Sequence, residues 1–171
     1  MIYRLNQEMK LLYCHLLPEV EVSEIKFWSM IEINYLTEGP VSQELISLLI
    51  EKMGRRTDSG GHSIFLGQVR ADEIDGKKVI AIEYSAYVEL VNVEAENIKK
   101  KILSAFPDVK SFNIIHSTGI VNAGEISLFV FISAGHRHQA IEACSKTVEL
   151  IKENLPVWKK EIFEDDSHKW K

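Results

Sequence analysis

One run near the end of the chain, Ile126-Ser127-Leu128-Phe129-Val130-Phe131-Ile132, constrains the fold more than any other. It carries no charge and does not alternate as a half-solvated strand does, so it is expected to lie centrally in a sheet. The chain then passes through Gly135-His136-Arg137-His138 into a segment where Ile141, Cys144, Val148, Ile151 and Leu155 recur at helical steps. These residues mark the core stripe of a helix that reaches Asn154, and Pro156 stops it. His136 and Arg137 therefore sit at a helix start, where unpaired N–H groups and a partial positive charge suit a phosphate or carboxylate. Lys152 falls in the last turn beside the core stripe, so its stem can lean over apolar surface while the ammonium reaches a cleft. Lys159 lies just beyond the proline. The plain alternative is that a lysine in a last turn only complements the helix dipole.

Earlier in the chain, residues 1–29 contain Leu11-Leu12-Tyr13-Cys14-His15-Leu16-Leu17, too short and interrupted for a secretory signal. A cleaner pattern opens at Met30, where Ile31-Glu32-Ile33-Asn34-Tyr35-Leu36 alternates like a half-buried strand. One functional domain is expected over 30–171. Residues 1–29 then read as an extension, an over-called start or a helix docked on the domain. Gly39-Pro40, Ser42 and Glu44 open a helix that Gly54 ends. The polar loop at 55–61 lacks the spacing of a phosphate loop and reads as turn chemistry. A strand is expected over 63–70, with Gly67 marking a bulge or the close approach of a ligand or another backbone. Arg70 ends it as a possible anion clamp. Asp75-Gly76 turns the chain into a strand at 79–84, followed by a helix over 88–106 with Val91, Ala95, Ile98, Ile102 and Ala105 on one side. Strands at 109–118 and 125–133 flank a turn at 121–124. This order, closed by an extended tail, implies an α+β fold: an antiparallel or mixed sheet with helices gathered on one side.

With 171 residues, 46% of them hydrophobic, the chain can bury one proper core. A net charge of −5 and a pI of 5.7 argue against nucleic acid as a partner. Against that acidic background, residues 136–160 hold five Lys/Arg and three acids, a local cationic region. Cys14 and Cys144 have no metal-ligand or redox spacing, so reduced thiols in a cytoplasm are expected and no metal site is. No apolar run reaches the roughly 18 residues of a membrane span.

Five motifs in order carry a family resemblance: Gly67-Gln68-Val69-Arg70, Ile82-Glu83-Tyr84-Ser85-Ala86-Tyr87, Ile115-His116-Ser117-Thr118-Gly119, Ser133-Ala134-Gly135-His136-Arg137 and Pro156-Val157-Trp158-Lys159-Lys160-Glu161. Together they resemble the large, catalytic subunit of molybdopterin synthase, over about residues 30–170. The resemblance implies an α/β hammerhead domain that forms a homodimer within a heterotetramer. Each end would bind a small ubiquitin-like sulfur-carrier subunit. The carrier's C-terminal glycine thiocarboxylate would supply two sulfurs in succession to cyclic pyranopterin monophosphate, giving the molybdopterin dithiolene with no cofactor. The alternative activity is none: a binding module that grips the carrier tail without transferring sulfur.

Position by position, the resemblance makes Lys152 and Lys159 catalytic. It places Gln68, Val69, Arg70, His136, Arg137, Lys160 and Glu161 on substrate-binding motifs. Cations of this kind suit a phosphorylated substrate and a developing oxyanion. Arg70, His136 and Arg137 are expected to share the phosphate, and the carrier tail to lie between the strand at 67–70 and the segment at 155–161. Ala71-Asp72-Glu73 departs from the family's pattern by placing two acids after the strand-end arginine.

Overall fold

In the computed structural model, which describes residues 35–170, the apolar run lies inside an eight-stranded mixed sheet. The elements are β1 (Leu36–Glu38), α1 (Gln43–Gly54), β2 (Gly61–Gln68), β3 (Glu73–Ile74), β4 (Lys77–Ala86), α2 (Val88–Ala105), β5 (Val109–Asn122), β6 (Ile126–Ala134), α3 (Arg137–Asn154), β7 (Val157–Phe163) and β8 (His168–Trp170). Asn34–Lys171 form one compact unit. Residues 1–29, with Cys14, and the 31–34 part of the expected first strand lie outside the described residues.

The sheet order is β2-β6-β5-β4-β7-β8, with β1 pairing parallel to β5 and β3 pairing β4. β6 takes the position its composition demands, between β2 and β5, and Phe129, Val130, Phe131 and Ile132 are fully buried. Its side chains alternate between two cores. Leu128, Val130 and Ile132 meet α2 and α3, whereas Phe129 and Phe131 join Ile115, Val41 and Leu49 beneath α1. The helices thus cover both faces, correcting the expectation that they gather on one side. A strand with bulky apolar residues at both parities requires cover on both.

β5 joins the two halves of the sheet. It pairs with β6 as far as His116 and with β4 from Gly119 onward. Gly119 has φ +73°, a left-handed conformation that favours glycine at the handover. The β3–β4 hairpin closes through Asp75 (φ 54°) and Gly76 (φ 77°), the two left-handed residues of a type I′ turn.

α3 buries Ala140, Ala143, Cys144, Thr147, Val148 and Ile151. Ile141, expected in the stripe, is 58% exposed; the stripe begins one residue earlier, at Ala140, where a small side chain lets helix and sheet approach closely. The approach is tight enough that a Cβ on Gly61 would lie 2.9 Å from the Arg137 Cα. Gly60 and Gly61, at the entry to β2, therefore serve packing against Gly135 and the start of α3. The extended tail forms two further strands, of which β7 pairs along β4.

Candidate active site

The site begins where α3 ends. Leu155, at φ −70° and ψ 122°, leaves the helix as a residue before proline must, and Val157 starts β7 against Ala86. Lys152, exposed in the last turn, and Lys159, exposed on β7, therefore lie on either side of the Leu155-Pro156 corner. Along β7 the side chains alternate, so Val157, Lys159 and Glu161 share one face and Trp158, Lys160 and Ile162 the other. Lys159 is the register partner of Tyr84. Lys160 pairs with the Glu83 carboxylate, and its ammonium sits 5.5 Å from the Trp170 ring centroid. Glu161 is buried, at 5% exposure. The adjacent lysines of this segment thus face opposite ways.

Two residues to which the sequence assigns no role stand beside Lys159. His116 meets Tyr84 edge-on, with ring centroids 5.1 Å apart. Its Nδ1 lies 2.9 Å from the Ser117 carbonyl, which only accepts, so Nδ1 carries the proton and Nε2 keeps the lone pair. Burial lowers the imidazole below the ordinary histidine range; the Ser117 carbonyl opposes this and the Lys159 charge adds to it. Tyr84 is raised by burial, and its hydroxyl donates to Ser127 Oγ at 3.2 Å. Ser127 in turn donates to the Gly67 carbonyl at 3.4 Å. Both residues belonged to the family motifs, which was the available signal.

This chain of contacts leads to the end of β2. Gln68 follows a bulge, and its Nε2 donates to the Gly124 carbonyl at 2.7 Å. Val69 is buried and pinned by backbone bonds to Glu125 at 3.0 Å and Gly124 at 2.8 Å. Arg70 projects into solvent and pairs with Asp72 at 2.8 Å, so the first of the two unexpected acids neutralises the clamp itself. Gly67 is no open groove floor: a Cβ there would stand 3.0 Å from Leu128 Cβ and 3.3 Å from the Phe65 ring.

His136 and Arg137 stand elsewhere. His136 caps α3 without a side-chain cap bond of its own, and both its N–H, at 2.8 Å, and its Nδ1, at 3.0 Å, bond Asp108 Oδ2. The His136 hydrogen bond holds the Asp108 carboxyl below the usual range. Gly61 touches Arg137, so the length of β2, about 23 Å for seven extended steps, separates this pair from Gln68. The helix separates Arg137 from Lys152 by about 22 Å. Within one chain, the expected phosphate trio of Arg70, His136 and Arg137 does not come together. Among the described residues no cluster of metal-ligating side chains is present, and no helix is long and apolar enough to cross a membrane.

Fold and site define a mixed-sheet α+β domain that carries cationic side chains at both ends of one strand–helix pair. The model of the family described as MoaE protein matches residues 36–154, and the chain belongs to that family. It is 42% identical over 115 residues to the molybdopterin synthase catalytic subunit of Dictyostelium discoideum, covering 66% of this chain and 72% of the relative. The corresponding human subunit is 33% identical over 151 residues, with 88% and 76% covered. The chain spans only 36% of the length of the Drosophila grimshawi relative, to which it is 36% identical over 84% of its own length. Among solved structures, molybdopterin synthase from Staphylococcus aureus superposes with a TM-score of 0.73 at 28% identity, covering 82% of this chain and 98% of that one. A complex of subunits 1 and 2 of molybdopterin-converting factor from Helicobacter pylori shares the fold, with a TM-score of 0.67 at 21% identity over 79% and 87% of the two chains.

Proposed function

We propose that this chain is the catalytic subunit of a molybdopterin synthase and acts as a sulfurtransferase in molybdenum cofactor biosynthesis. It takes sulfur from the C-terminal glycine thiocarboxylate of a small ubiquitin-like carrier and passes it to cyclic pyranopterin monophosphate, leaving the carrier with an ordinary carboxylate. The observation that carries this reading is the placement of Lys152 and Lys159 on either side of one corner, with Lys159 beside two uncharged proton-bearing rings. A cation there stabilises the oxyanion that develops on the acyl oxygen as the acyl carbon is attacked, and an ammonium can give a proton to a leaving group. Gln68 and Arg70 lie at the same end of the sheet, linked to Tyr84 through Ser127 and Gly67.

The distance between Arg70 and the His136–Arg137 pair supports a homodimer. If both sets hold one phosphorylated substrate, they must come from two copies of the chain. The carrier's tail enters at the Lys152–Lys159 end; with one carrier on each chain of the homodimer the assembly is a heterotetramer, and the cytoplasm is its proposed location. The test is to incubate the purified chain with thiocarboxylated carrier and cyclic pterin and to assay the dithiolene product. Formation of product is expected. A chain that binds the carrier and makes none is a binding module instead.

A further inference from the structure

Among the described residues His116 is the one half-buried imidazole beside the candidate lysines, and nothing in the activity as described requires a histidine there. Its environment comes from five strands. Leu128 on β6 and Leu36 on β1 are its register partners, and its own N–H donates to the Tyr35 carbonyl at 2.8 Å. Tyr84 on β4 meets its ring, and Lys159 on β7, opposite Tyr84, acts on it electrostatically. The Ser117 carbonyl fixes the tautomer, leaving Nε2 as the ring's acceptor.

We propose that His116 positions Lys159: its imidazole, fixed by Ser117 and Tyr84, stays uncharged beside the lysine and offers Nε2 as an acceptor for the ammonium, so that the lysine's charge is turned on the substrate. This rests on the sulfur-transfer reading above. A protonated His116 has no lone pair to offer and repels the ammonium, so the site fails when the ring takes up a proton. The titratable groups around the ring are Lys159, Tyr84 and Tyr35, whose hydroxyl is bonded to Glu96. Both phenols stay neutral through the acid range, since burial raises each. His116 then defines the pH response.

The experiment compares wild type with His116→Asn, whose side-chain amide keeps a donor for Ser117 but lacks the Nε2 acceptor. Single-turnover rates are measured with saturating carrier and pterin between about pH 5 and pH 8. Wild type should lose rate on the acid side of the ordinary histidine range. The variant should be slower by about 10- to 100-fold, with unchanged carrier affinity and no acid limb. A variant with wild-type rate and acid limb overturns the proposal. A second arm needs neither turnover nor that variant. Imidazole nitrogen NMR on the otherwise native chain should find the Nδ1–H tautomer and a titration that moves upward in Lys159→Ala. A titration indifferent to Lys159 also overturns the proposal. Absence of product from wild type defeats the functional reading alone, and the NMR arm still decides whether the two side chains are coupled.

Discussion

Arg70 and Asp72 pair at 2.8 Å with 79% and 43% of their side chains exposed, so their mutual attraction is worth under about 1 kcal/mol. An incoming phosphate can displace the aspartate, gaining a charge-assisted bond worth about 1.5–3 kcal/mol. Arg70→Ala should therefore weaken cyclic pterin binding by about one to two orders of magnitude in calorimetry, while Asp72→Ala should not weaken it. His116 gives a second prediction at this scale. Its folded pKa lies below the unfolded value of 6.5, so between the two the unfolded chain binds more protons and stability falls as pH drops through that window. Above 6.5 the full contribution is present. Urea denaturation at several pH values should show this decline in wild type, and a smaller one in His116→Asn.

At the scale of elements, the fit between α3 and the sheet depends on glycines. Gly61→Ala would set a Cβ 2.9 Å from the Arg137 backbone, where no flexible side chain can yield. Overpacking of this kind costs about 1–3 kcal/mol, so the denaturation midpoint should fall with the slope unchanged. β6, α2 and the Asp75-Gly76 hairpin were legible in the sequence because burial, helical period and turn chemistry are local signals. The start of α3 at His136-Arg137 was legible, but its core stripe was misread at Ile141, because alanines hold the contact and periodicity weights large side chains. β7 escaped recognition as a strand: Trp158-Lys159-Lys160-Glu161 spends its alternating positions on charges, and its pairing with β4 is long-range. The motif residues were legible as a set, but their distribution over two ends of the domain depends on the tertiary path of β2 and α3. Gly67 was read as a bulge or a close approach by a ligand or another backbone; the register does shift between Gly67 and Gln68, but Leu128 and Phe65 crowd the position. A bulky residue at position 67 would thus report on packing before it reported on the carrier.

For the whole molecule, two cationic groups about 22 Å apart along α3 make one-chain catalysis and two-chain catalysis distinguishable. Lys152→Ala and Arg137→Ala should each be inactive alone. Coexpressed, they should regain about a quarter of wild-type activity, since half the dimers are mixed and each mixed dimer holds one intact site. Site residues drawn from one chain would leave the mixture inactive. The central claim, that these lysines transfer sulfur, is tested most directly by single-turnover formation of the dithiolene with Lys152→Ala and Lys159→Ala. Each variant should still bind the thiocarboxylated carrier yet turn over at least about 100-fold more slowly than wild type. Variants that bind the carrier and keep more than about a tenth of the wild-type rate would contradict the account.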